Sequence, residues 1–157
     1  MTGKFAGFKL AKKVIGADMD YETVSAEDFG GSLRGMGVNL LVRDVRRQSA
    51  MLEAVFGMTA HRVSADFAII RYGATVFQLH SDGTYSANPY LSFLPEAGPR
   101  GAGAELRLYD SDPDRAAEKA EANGMLILQP PTDKPHGLRE AFLICPDGYA
   151  WVPSRPL

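Results

Sequence analysis

The sequence predicts an α+β fold built from two tandem βαβββ modules, and three observations support this prediction. A segment of strand length that opens with glycine and closes with aspartate occurs twice, at residues 37–44 and 103–110. A helical stretch that ends in glycine follows each copy. Each helix is then followed by three short runs with strand-like composition. The same order of elements in both halves indicates an internal duplication.

The first module begins with the strand predicted at residues 37–44. The helix after it is amphipathic, because its apolar residues fall near one helical face: Val45, Met51, Leu52, Val55 and Phe56. Gly57 can take the left-handed conformation that ends a helix. The three following strands are predicted over residues 58–63, 66–71 and 75–80, with a tight turn at Tyr72–Gly73.

The second module repeats this plan from residue 103. Asp112 suits the N-cap of its helix, Pro113 suits the first helical position, and Gly124 ends the helix. Its three strands are predicted over residues 125–129, 138–145 and 149–153, and Asp147–Gly148 provides the hairpin turn between the last two.

The repeat divides the chain into four parts. The first module spans residues 37–80, a connector spans 81–102, and the second module spans 103–157. Residues 1–36 are an N-terminal extension, in which residues 25–28 indicate a helix start. The connector carries three aromatic residues that we expect to pack rather than remain in a bare linker, namely Tyr85, Tyr90 and Phe93.

Composition limits the class of protein. The chain has 157 residues, 45% of them hydrophobic and 23% charged, which suits one domain with a packed core and excludes a disordered chain. The formal net charge of −2 gives no electrostatic indication of nucleic acid or an anionic membrane as a partner. Apolar runs are far shorter than the roughly 20 residues that span a bilayer. No secretory signal is predicted, so we expect a cytoplasmic protein.

Three short motifs resemble one known superfamily. Residues 39–44 (NLLVRD) resemble its first strand, which runs into the helix through an aspartate. Residues 135–140 (PHGLRE) resemble its Pro-Trp-Gly-x-Arg-Glu stretch, with histidine in place of tryptophan. Residues 146–149 (PDGY) resemble its last hairpin, with Cys145 where an aspartate is usual. Together with the duplication, they resemble the vicinal oxygen chelate superfamily of glyoxalases, bleomycin-resistance proteins and dioxygenases.

The resemblance carries expectations about fold and assembly. It implies that the modules form a curved, barrel-like mixed sheet with a cavity, as in the glyoxalase/bleomycin-resistance fold. It also implies a homodimer, because superfamily members of this size often build their cavities across the dimer interface.

The resemblance also implies where metal ligands would stand. The first-strand ligands of metal-using members lie about seven residues before the aspartate, which places them at Gly37 and Gly103. The last-strand ligand falls on Val152 in the second module and near Phe77 or Gln78 in the first. Glycine and valine have no side chain that coordinates a metal, and an amide alone is a poor ligand. We therefore expect neither a metal at these positions nor a cofactor.

Strand alternation selects the side chains that face the cavity, because successive residues point to opposite faces of a sheet. One face of each first strand is apolar and suits the helix: Val38, Leu40 and Val42 in the first module, and Ala104, Leu106 and Leu108 in the second. The opposite face in both modules is polar and includes Arg43. The predicted ligand-binding residues on these faces are Asn39, Gln78, His80, Glu105, Arg107 and Tyr109. Trp151 is a further candidate for stacking.

The remaining candidates have structural interpretations beside functional ones. Glu105 and Arg107 stand two apart on one strand face, so an ion pair is as good an interpretation as a site. His136 lies in a loop that either packs or borders the cavity. Arg139 and Glu140 are adjacent and must point to opposite faces. Other residues are expected to be inert: His61 as surface decoration and the single cysteine, Cys145, as a buried thiol.

The sequence therefore favours metal-independent binding of a small organic molecule in a polar concave cavity. One alternative is a metal-dependent lyase, isomerase or dioxygenase with a relocated site formed by His80, Glu105 and Gln78. Another is a metal-free enzyme with Glu105 as general base beside Arg107. No catalytic residue is assigned by the sequence.

Overall fold

The computed structural model of the protein describes residues 19–157. Helix α1 (Ala26–Ser32) precedes the first module. That module consists of β1 (Asn39–Leu41), α2 (Val45–Phe56), β2 (Thr59–His61), β3 (Phe67–Tyr72) and β4 (Thr75–His80). Two 3₁₀ turns, Asp82–Tyr85 and Pro89–Phe93, lie in the connector. The second module consists of β5 (Glu105–Leu108), α3 (Pro113–Ala120), β6 (Leu126–Asp133), β7 (Leu138–Ile144) and β8 (Ala150–Pro156).

Each module forms its own four-stranded mixed sheet. The strand orders are β1-β4-β3-β2 and β5-β8-β7-β6. In both sheets the first strand pairs parallel with the last, and the other pairs are antiparallel. The α+β class and the two βαβββ modules are confirmed. The strands form two separate sheets, and no closed barrel is found in residues 19–157.

Local residue chemistry explains where the helices begin and end. The Asp44 carboxylate caps α2 by accepting a hydrogen bond from the backbone N–H of Arg47 at 2.9 Å. Gly57 ends α2 in the left-handed region, with φ of 68°. Asp112 caps α3 in the same way, and Pro113 occupies its first helical position. These boundaries confirm the predicted caps.

Strand boundaries differ from the predictions at some positions. The turn between β3 and β4 lies at Gly73–Ala74, one residue later than predicted. Strand β6 continues through two prolines to Asp133 instead of ending at residue 129. Register shifts around Gln129 break its pairing with β7, and such irregularities accommodate prolines in a strand. Strand β8 likewise continues to Pro156.

The inner faces of both sheets and both module helices form one apolar core. Trp151 is 1% exposed, and its ring lies 5.7 Å from that of Phe56 and 6.0 Å from that of Phe77. The expectation that Trp151 stacks on a ligand is therefore wrong, because this side chain joins the two modules. We call the face of each sheet that is turned away from this core its outer face.

The N-terminal extension packs on the outer face of the first sheet. Ser25 caps α1, as the sequence predicted, by accepting from the N–H of Asp28 at 3.0 Å. Tyr21 and Phe29 are buried against Ile69, which lies on the outer face of β3. Residues 1–18 of the extension lie outside the described residues. Within residues 19–157 no helix has both the length and the apolar character needed to cross a membrane.

Candidate ligand-binding site

Polar side chains from neighbouring strands meet on the outer face of the first sheet. Asn39 lies opposite Gln78 in the parallel register of β1 and β4, so the two side chains share one face. The Gln78 amide donates to Asn39 Oδ1 at 3.0 Å, and the Asn39 amide donates to the Tyr85 hydroxyl at 3.3 Å. The connector thus places Tyr85 at the end of a hydrogen-bonded chain on this face.

His80 lies on the same face, two residues after Gln78 along β4. Its ring packs between those of Phe67 and Tyr85, with centroid distances of 5.1 and 5.3 Å. Its Nδ1 lies 3.2 Å from the Thr84 hydroxyl, whereas its Nε2 is buried without a hydrogen-bond partner in residues 19–157. Burial lowers the pKa of the His80 imidazole, which favours the neutral ring.

A cavity of about 340 Å³ lies between α1 and this outer face. Two phenyl rings and a leucine provide its apolar surface, and a guanidinium and an amide provide its polar surface. The lining residues are Ala26, Phe29, Gly30, Leu33, Arg62, Phe67 and Gln78. Apolar walls with a few fixed polar groups are typical of sites that bind small molecules.

The segment that covers the cavity is anchored by Glu22. One carboxylate oxygen of Glu22 lies 3.0 Å from His61 Nδ1, and the other accepts from the backbone N–H of Arg62 at 3.1 Å. The Tyr21 ring packs 5.4 Å from the His61 ring. The side chain of His61 is consequently only 20% exposed. The expectation of a surface histidine is wrong, because the N-terminal extension covers this part of the sheet.

Charged side chains cluster on part of the outer face of the second sheet. Arg107 pairs with Glu105 at 3.0 Å and with the buried Glu140. His136 Nε2 lies 3.5 Å from Glu140, so the loop that carries His136 borders this face. Tyr109 is 59% exposed, with the Arg107 guanidinium 5.9 Å from its ring centre. The structural interpretation of the Glu105–Arg107 spacing as an ion pair is confirmed.

The six predicted ligand-binding residues thus fall into two groups. Asn39, Gln78 and His80 lie together on the first outer face, whereas Glu105 and Arg107 lie on the second, and Tyr109 follows β5 with its ring beside Arg107. Because the inner faces of the two sheets share one core, one chain does not bring these groups into a single cavity. Arg43 joins neither group.

Several lining residues were missed by sequence reasoning, and Glu140 of the second outer face was left without an assigned face. Phe67 could have been found, because the antiparallel register of β3 and β4 places it on the same face as Gln78. Glu140 could have been placed once Arg139 was assigned to the opposite face, where it pairs with Asp114. Phe29 and Leu33 had no signal, because the sequence pattern does not show where the extension docks.

The positions where the superfamily holds a metal carry no cluster of ligating side chains. Val152 is fully buried, and the relocated set of His80, Gln78 and Glu105 is divided between the two sheets. In the described part of the chain, no three His, Cys, Asp or Glu side chains gather as a metal-ligating group.

Cys145 is buried, and burial raises the pKa of its thiol, which agrees with an inert role.

Comparison with known proteins places the fold. No protein-family model and no curated protein matches the sequence. Solved structures do match. A glyoxalase/bleomycin resistance protein/dioxygenase family enzyme from Burkholderia phytofirmans PsJN is 20% identical with a TM-score of 0.66, over 76% of this chain and 96% of that one.

Two further solved structures have a similar fold. A glyoxalase/bleomycin resistance protein/dioxygenase from Nocardioides is 20% identical with a TM-score of 0.60, over 85% of this chain and 94% of that one. TioX from Micromonospora sp. ML1 is 26% identical with a TM-score of 0.57, over 79% and 99% of the two chains. The chain therefore has the fold of the vicinal oxygen chelate superfamily, and the resemblance drawn from its motifs is confirmed at the level of the fold.

Proposed function

We propose that this protein binds a small organic molecule, without a metal, in the cavity between α1 and the first outer face. The observation that carries this proposal is the cavity of about 340 Å³, in which Phe29 and Phe67 provide ring surfaces and Gln78 an amide. A volume of this size suits a ligand of one or two rings.

The polar groups beside the cavity support the same function. Gln78 is held by Asn39, which is held in turn by Tyr85, so the amide that reaches the ligand is already oriented. Fixed polar groups on an apolar wall orient a ligand without requiring rearrangement on binding.

Neither enzymatic alternative gains support from the geometry. The Glu105 carboxylate lies 3.0 Å from Arg107, and a carboxylate that is engaged by a guanidinium is poorly placed to abstract a proton. Glu105 also lies on the other sheet from His80 and Gln78.

The proposal includes a cytoplasmic homodimer. The second outer face carries the exposed side chain of Leu126, which is 61% exposed, and Leu128 nearby on the same strand is 64% exposed. Apolar surface of this kind is typical of contact regions. Sedimentation or light scattering of the full chain tests the dimer, and a Leu126→Lys/Leu128→Lys variant is expected to be monomeric.

Binding is tested with ligand-observed NMR and calorimetry on the full chain, using a set of neutral aromatic amides that includes 2-naphthamide. We expect at least one amide to bind, and Phe67→Ala to weaken it about tenfold by removing one ring wall. Phe142→Ala is the matched control, since Phe142 lies on β7 of the second sheet. Chelator treatment should leave binding unchanged. The proposal fails if no aromatic compound binds, or if Phe142→Ala weakens binding and Phe67→Ala does not.

A further inference from the structure

Arg62 has an unusual backbone at the edge of this cavity. Its φ is 52°, and Asp110 is the only other non-glycine residue with a positive φ in residues 19–157. A long side chain rarely takes this left-handed conformation, because its Cβ then lies close to the backbone carbonyl oxygen. The conformation is fixed by contacts with the N-terminal extension, because the Arg62 N–H donates to Glu22 and one guanidinium nitrogen donates to the Val24 carbonyl at 2.8 Å.

The Arg62 guanidinium also has no carboxylate partner among the described residues. Some arginines of the described residues are ion-paired, such as Arg43 with Asp147 and Arg139 with Asp114. Within residues 19–157 Arg62 makes no such pair, and its one side-chain hydrogen bond goes to Val24. The nearby Glu22 carboxylate is engaged by the Arg62 backbone and by His61. The guanidinium therefore has unused N–H donors.

Arg62 supplies the charge of the cavity, since no other charged side chain of the described residues lines it. Of the two N–H groups on the Gln78 amide, one donates to Asn39, which leaves a second donor. A guanidinium and an amide N–H are both donors, and together they match the acceptor oxygens of a carboxylate. The walls of Phe29 and Phe67 match a flat ring.

We propose that the ligand of this cavity is an aromatic carboxylate, with its ring against Phe29 and Phe67 and its carboxylate on Arg62. This inference rests on the proposed function and specifies the ligand class of the same site. Arg62 acts as the residue that selects an anionic ligand over a neutral one of the same shape.

The test compares 2-naphthoate with 2-naphthamide, which have the same ring system and differ in charge. We expect naphthoate to bind the full chain about tenfold more tightly than naphthamide at low ionic strength, because a charged hydrogen bond adds to the shared ring contact. Added salt should reduce this difference in affinity between the two compounds, since Arg62 is exposed to solvent and its charge is screened. Arg62→Gln should reduce naphthoate affinity to that of naphthamide.

Control variants separate the effect of the Arg62 charge from the effect of its hydrogen bond to Val24 in the N-terminal extension. Arg46→Gln removes the same charge from an exposed position on α2 and should leave both affinities unchanged. Arg62→Lys should retain part of the preference, because it keeps the charge but loses the planar fork. If Arg62→Gln weakens both ligands equally, Arg62 acts only by anchoring Val24 and the inference is overturned.

The remaining outcomes distinguish this inference from the proposed function. If naphthamide binds as tightly as naphthoate and Phe67→Ala weakens both, the cavity binds small molecules but the selection of carboxylates is refuted. If neither compound nor any other aromatic amide binds the wild-type chain, the proposed function itself fails and this inference fails with it.

Discussion

Arg43 of the first module and Asp147 of the second are joined through both backbone and side chain. The Arg43 guanidinium lies 2.9 Å from the Asp147 carboxylate, which also accepts from the Arg43 backbone N–H at 3.2 Å. A second guanidinium nitrogen donates to the Gly98 carbonyl at 2.9 Å. This residue, which the sequence placed on the polar outer face, instead ties β1 to the connector and to the last hairpin.

Arg43→Met should therefore destabilise the protein. The Asp147 side chain is only 6% exposed, so its charge would remain buried with weaker compensation from Arg100 at 3.9 Å. We expect the free energy of unfolding to fall by about 2 kcal/mol in urea titrations. Arg46→Met, at an exposed position on α2, should change it by less than about 0.5 kcal/mol. Equal effects of the two substitutions would contradict the importance of the Arg43–Asp147 pair.

Arg107 makes two ion pairs of unequal burial, and their removal should have unequal effects. Arg107→Met leaves Glu140, whose side chain is 4% exposed, without its guanidinium partner. We expect a loss of about 3 kcal/mol, measured by urea unfolding. Glu105→Gln removes the partner that is 46% exposed and should cost less than about 1 kcal/mol. A larger loss for Glu105→Gln than for Arg107→Met would refute this order.

His80 should make stability depend on pH. Because burial lowers its pKa below the ordinary value of 6.5, the unfolded chain binds a proton that the folded chain does not. The free energy of unfolding contributed by this group should fall as pH decreases through 6.5 toward the lower folded-state pKa. The loss between about pH 7.5 and about pH 5.5 should be smaller for His80→Gln than for the wild type. Parallel pH profiles of the two proteins would show that His80 does not contribute.

Gly101 should not tolerate a side chain. An added Cβ would lie 2.6 Å from the Tyr149 Cα, and the Tyr149 hydroxyl donates to the Leu41 carbonyl of the first module at 3.0 Å. We expect Gly101→Ala to cost about 2 kcal/mol by thermal or chemical unfolding. At Gly37 a Cβ would meet open space and φ is not positive, so Gly37→Ala should be neutral or stabilising by about 0.5 kcal/mol. A neutral Gly101→Ala would mean that the hairpin shifts to make room.

Features that depend on local chemistry could be predicted from the sequence. The caps at Asp44 and Asp112 and the left-handed Gly57 each depend on residues within one turn of the helix. Strand β4 alternates clearly and is bounded by turns, so its observed range, Thr75–His80, is the predicted one. The order of these elements predicted the two βαβββ modules, and the motif resemblance supplied the fold family.

Features that depend on how the modules pack could not be predicted in the same way. Alternation assigns Asn39 and Glu105 each to an outer face, but it carries no information on whether two outer faces meet. The expectation for Trp151 was wrong because its face depends on the register of β8 against β5, where it lies opposite Leu106. Alternation assigns Leu106 to the helix side, so the register alone would have placed Trp151 in the core.

Substitutions in the shared core are constrained by both modules, whereas substitutions on the two outer faces are constrained separately. Substitutions at Trp151, Phe56 or Phe77 must be accommodated by both modules at once, since the three rings pack together. Asn39 and Glu105 belong to networks that touch different partners, so a change in one places no steric demand on the other. After a duplication of this kind, natural selection can refine the specificity of one half while the other half acquires a different task.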